Sequence, residues 1–86
     1  MKKRMSFRFS NPATTTLQIN YEINQCESAT IGFIPFYGAV GKERIYKLGV
    51  LDNKIVIDVA AWDKGLYKLL LYCDGDAEEM RSVLIE

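Results

Sequence analysis

Eighty-six residues with eleven Lys+Arg against eleven Asp+Glu, no histidine and two cysteines already narrow the function. The length is that of one small domain, burying roughly 60% of its unfolded surface, and the balanced charge, with no basic run interleaved with aromatics, argues against nucleic acid or anionic membrane as partner. Without histidine there is no imidazole base, no histidine metal site and no Ser-His or Cys-His pair, and two cysteines so far apart in sequence are not a zinc framework.

Met1-Lys2-Lys3-Arg4 is a basic start, but Ser6 to Pro12 places no apolar stretch behind it. The chain therefore reads as lacking an export signal of its own, or as a piece of a longer exported protein. No apolar run approaches the roughly eighteen residues that span a bilayer. Residues 1–5 are expected to be a disordered start and residues 6–86 one domain.

Met5-Ser6-Phe7-Arg8-Phe9-Ser10 alternates with Met5, Phe7 and Phe9 inward, and Asn11-Pro12 ends it, since proline lacks a donor and Asn favours turns. Leu17 to Asn24 is a half-buried strand with every odd position apolar and every even one polar. A loop, Asn24 to Ser28, follows. Ala29 to Tyr37 is apolar on both faces, so alternation does not say which side is inward. Pro35 within it predicts an edge, a bulge or an early strand end. Gly38 to Gly41 permits a tight turn, Lys42 to Leu48 reads as a partly exposed strand, and Ile55 to Val59 as another with Ile55, Ile57 and Val59 on one face.

The turn Asp63-Lys64-Gly65 then feeds Leu66 to Cys73, the most apolar strand of the chain. Tyr67, Leu69, Leu71 and Cys73 share one face, and Leu66, Lys68, Leu70 and Tyr72 the other. Such a strand belongs in the middle of a sheet. A buried helix fits less well, because helical spacing leaves no polar stripe and no capping box precedes it. Asp74-Gly75-Asp76-Ala77 is a hairpin signal, and Met80 to Ile85 is the last strand. Seven short strands at roughly ten- to twelve-residue spacing predict an all-β, seven-stranded antiparallel sandwich of immunoglobulin-like type.

If successive strands alternate up and down, strands two and six end at the same pole, with Cys26 and Cys73 following those ends. A bridge between them and two free thiols are both compatible with that placement, since loop ends need not lie within bonding distance.

Candidate sites are few. Asp74-Gly75-Asp76 with Glu78-Glu79 lacks the spacing of a calcium loop and reads as a solvated hairpin. Asp58 and Asp63 lie on an outward strand position and in a turn, and do not read as an acid/base couple. Trp62 reads as a plug at the sandwich end rather than as a sugar-stacking platform with Tyr67 and Tyr72, and Phe33, Phe36 and Tyr37 read as core. The apolar second face of the sixth strand, Leu66, Leu70 and Tyr72, needs cover from a neighbour such as Trp62 or from a partner. The residues alone thus describe a small soluble β-sandwich that binds rather than catalyses and needs no cofactor.

The order of short motifs resembles the C-terminal sorting domain of proteins exported by the type IX secretion system of Gram-negative bacteria. Asn11-Pro12-Ala13-Thr14, then Leu17 and Ile19, is similar to that family's opening. Gly41-Lys42 stands at its turn after a long strand, and Ile57-Asp58-Val59 and Gly65-Leu66-Tyr67 at its later strands. Phe9-Ser10 replaces the family's aromatic-proline pair, Gly38 stands where Asp is common, and Arg81 alone keeps the positive charge of the last strand. The resemblance implies a non-catalytic address at the end of a larger precursor, secreted or held at the outer-membrane surface. Its partners would be an outer-membrane translocon and a sortase-like peptidase, and its cargo the N-terminal part of the parent chain. Asn11, Pro12, Gly41, Gly65 and Tyr67 would then fix turns and core, with recognition at the last strands and their edges. The competing reading is a self-contained extracellular adhesion or carbohydrate-binding module using its aromatics as a platform; burial of Trp62 counts against it.

Overall fold

Seven strands organise the computed structural model, which describes residues 5–9, 13–39 and 41–86. They are β1 (Met5–Phe9), β2 (Thr16–Ile23), β3 (Ala29–Tyr37), β4 (Arg44–Leu48), β5 (Lys54–Asp58), β6 (Gly65–Cys73) and β7 (Asp76–Ile85). They pair antiparallel in two sheets ordered β1-β2-β5 and β4-β3-β6-β7. This is the immunoglobulin-like sandwich that the turn spacing predicts.

Alternation decides the core. From the first sheet Met5, Phe7, Leu17, Ile19, Tyr21 and Ile57 point inward; from the second, Ile31, Phe33, Leu48, Tyr67, Leu69, Leu71, Val83 and Ile85 do so, and all are buried. Each of the larger aliphatic side chains contributes about 1.5–3 kcal/mol on full burial. β6 lies between β3 and β7, the central position that its sequence predicts.

Three details depart from the expectations above, and a fourth, the bulge after Pro35, is one of the outcomes expected there. Met5 belongs to β1 and is buried, so the fold begins before residue 6. Pro35 sits in a central strand, but β4 pairs β3 only as far as Phe33, so its missing N–H falls beyond that ladder. The β3–β6 register shifts between Pro35 and Tyr37, and Phe36 and Tyr37 are 44% and 73% exposed rather than core. β7 begins at Asp76, not Met80, because Asp74 and Gly75 close a two-residue hairpin with φ of 52° and 90°. Positive φ at both positions is the type I′ geometry that matches strand twist.

One long-range contact was not legible in any motif. Ala13 pairs in parallel with Ile85, its N–H donating to the Leu84 carbonyl (2.9 Å) and its carbonyl accepting from the Glu86 N–H (2.8 Å). The chain thus crosses from the edge of one sheet to the edge of the other. Met5, opposite Ile23, and Ile85, opposite Gly65, consequently lie at opposite poles.

Candidate interaction surface and its supports

At the upper pole, where β6 begins, Gly65 and Tyr67 form a corner. Gly65 has φ +140°, and a Cβ there would lie 2.5 Å from the Ala39 nitrogen and 2.8 Å from the Tyr37 oxygen. Both backbone angle and space therefore demand glycine. Two residues on, Tyr67 is fully buried and its hydroxyl donates to the Asp63 carbonyl at 2.7 Å, the tyrosine-corner bond of immunoglobulin-like folds. Burial pushes this phenol above its ordinary range and Asp63 adds to the rise, while the adjacent Arg44 opposes it. Arg44 also stacks over the Trp62 ring, 4.4 Å from its centroid.

Trp62 is 8% exposed and packs edge-on against Phe33 and tilted against Tyr67. It plugs the core. Tyr72 lies on the other face of β6, so Trp62, Tyr67 and Tyr72 do not form a platform. Nor does Trp62, packed with the inward residues, cover Leu66 and Leu70.

The lower pole is a clamp. Cys26 and Cys73 are joined by a disulfide, Cα–Cα 5.6 Å. Beside it, Asp74 Oδ1 accepts the backbone N–H of Glu27 and of Ser28, each at 3.0 Å, and the Asp74 N–H donates to the Ser28 carbonyl at 2.8 Å. The acid read as a solvated hairpin residue is thus a fastener between the β2–β3 loop and the β6–β7 turn. Asp58 likewise serves its own turn, accepting the Ala60 N–H at 3.0 Å.

The last strand carries charge inward. Glu79 and Arg81 lie opposite Leu71 and Leu69, two inward positions of β6, and pair with each other at 2.9 Å. The Arg81 guanidinium lies 5.3 Å from the Phe7 ring centroid of β1. Inward charges at a sheet border, with the register shift between Leu71 and Tyr72, discourage an added strand. Near its end the same border is occupied by Ala13.

Of the other motif positions, Gly41 and Lys42 are exposed in the turn before β4, and Asn11 and Pro12 lie outside the described residues. The selected residues do not converge. Gly65 and Tyr67 stand at one pole, Cys26 and Cys73 at the other, and Arg81 at the β1–β7 side. An open depression near Arg81 is lined by Ser6, Arg8, Asn20, Glu22 and Asn53; these residues make no nucleophile–base pair.

The two outer faces differ. The three-stranded sheet turns Ser6, Arg8, Gln18 and Glu22 outward, with Val56 of β5 exposed beside Gln18. The four-stranded sheet lays out Lys47, Thr30, Tyr72 and Ala77 in one row, then Ile45, Gly32, Leu70 and Met80, then Ile34, Lys68 and Ser82, then Leu66 and Leu84. Ile45 and Met80 are 63% and 59% exposed. Only the β6 contribution to this surface is legible in the sequence. Ile34 and Ile45 belong to segments whose outward side alternation leaves open, and Met80 to a strand whose start the adjoining acids disguise.

No family model and no curated protein matches the chain. Among solved structures, an immunoglobulin-like protein from Pseudomonas aeruginosa aligns over 100% of this chain and 94% of its own, with a TM-score of 0.50 and 7% identity. At that identity the likeness shows the fold alone.

Proposed function

We propose that the domain is a non-catalytic C-terminal sorting signal, directing a larger cargo protein through a type IX secretion system to the cell surface. The observation that carries this reading is the ordered set of motifs from Asn11-Pro12-Ala13-Thr14 through Gly65-Leu66-Tyr67. Two features support it. Gly65 and Tyr67 occupy positions where their residue types are required for the corner, and the Cys26–Cys73 bridge suits an oxidising compartment. The translocon, the sortase-like peptidase and the N-terminal cargo are the partners this role requires. The carbohydrate-binding alternative loses its platform with Trp62 in the core.

The test is a fusion of residues 1–86 behind a signal peptide and a reporter, in a host with this secretion system. Reporter at the cell surface or in the medium is the expected result. A reporter that stays in the periplasm while its domain is protease-resistant and oxidised overturns the proposal.

A further inference from the structure

The inner faces of both sheets are filled from within the sandwich, so the apolar outer face of the four-stranded sheet is not required by the core. Its centre is Leu70 and Lys68 on β6, bordered by Ile34, Ile45, Met80 and Leu84. Four strands at about 4.8 Å spacing and nine residues of β6 at about 3.3 Å give a footprint of roughly 550 Å².

Charge says what fits there. At the paired outward positions of the four strands the charged residues are Lys47 and Lys68, with no carboxylate among them; Glu78 falls at the register shift, off those rows. Lys68 is half-buried, its ammonium 5.2 Å from the Phe36 ring centroid. A second copy is a poor occupant on two counts. Two such faces bury roughly 1,100 Å² in total, about half of what obligate homodimers use. A two-fold axis through the centre also sets Lys68 against its own copy inside an apolar contact, where like charge is costly.

We propose that this face docks an apolar polypeptide segment of another protein, one that brings a carboxylate to Lys68. The inference does not rest on the sorting role; it is a property of the folded domain by itself.

The test uses two amphipathic helical peptides of about eighteen residues, long enough to cross the face. They are identical except for one Glu or one Lys in the middle of the apolar stripe. Titrated against the oxidised, isotope-labelled domain at low salt, the Glu peptide is expected to shift the amides of Ile34, Lys68, Leu70 and Met80 and to bind about tenfold more tightly than the Lys peptide. Lys68→Glu inverts that preference. Lys68→Ala, should the first variant fold poorly, abolishes it, and Leu70→Glu weakens both peptides. Equal binding of the two peptides overturns the proposal, as do shifts centred on Gln18 and Asn20 or no shift at millimolar peptide. A dimer in sedimentation that Leu70→Glu dissolves also overturns it, by assigning the face to a second copy.

Discussion

The two sheets of this sandwich have largely apolar interiors, the second with Glu79 and Arg81 turned inward at its border, and unlike exteriors. The three-stranded sheet presents mainly hydroxyls, amides and charges, with Val56 exposed among them and Gln18 Nε2 donating to Asn20 Oδ1 at 3.2 Å. The four-stranded sheet presents Ile34, Ile45, Leu70 and Met80. They also differ in fastening. β6 has the tyrosine corner at its start and the disulfide at its end, whereas the first sheet is tied by packing and by the Tyr21 hydroxyl donating to the Gly49 carbonyl at 3.0 Å. The sheet with the more apolar exterior is thus also the one whose β6 is fastened at both poles.

The largest expected effect comes from unpinning it. Replacing Cys26 and Cys73 by serine opens a loop closed across a separation of 47 residues, and should cost about 4 kcal/mol on the chain-entropy model. Urea denaturation of oxidised protein against the double variant measures it; equal midpoints would contradict the clamp.

Next comes a pair of neighbours on one strand. Leu69 points into the core and Leu70 out. Leu69→Ala should cost about 3 kcal/mol and Leu70→Ala less than about 1 kcal/mol. Similar losses would mean that the outer face carries the fold itself, and the contrast between the two sheets would collapse.

Tyr67→Phe keeps the ring and removes the bond to Asp63, a loss of about 1 kcal/mol. It also has a pH signature. The phenols of Tyr67 and Tyr21 are raised chiefly by burial, so folding favours their neutral forms. Their contribution is fully present below the ordinary phenol value of about 10 and is lost as pH rises through the higher folded values. Stability measured across alkaline pH should therefore fall, and fall less in Tyr67→Phe.

The smallest effect belongs to the polar exterior. Gln18→Ala breaks only an exposed bond and should stay within about 0.5 kcal/mol in the same urea assay.

How much of this was legible depended on whether a strand's two faces differ in polarity. Leu17 to Ile23 alternates, and its inward set was evident. Ala29 to Tyr37 does not, and the shift at Phe36 turned two expected core aromatics outward. Glu78 and Glu79 read as loop because charge implies solvent, yet Glu79 faces inward beside Arg81. The corner at Gly65 and Tyr67 was legible, because each residue type there meets a local demand. Arg44 over Trp62 and the Ala13–Ile85 bridge were not, since they join residues far apart in sequence.

The opposite placement of Met5 and Ile85 has a mechanical consequence. Tension on the two ends runs lengthwise along β1 and β7 and loads their ladders in shear, the direction in which many hydrogen bonds resist together. The covalent tie between residues 26 and 73 withholds the intervening segment from extension. At about 3.4 Å per residue that is roughly 160 Å of chain, so an oxidised molecule under load should unravel to a much shorter length than a reduced one.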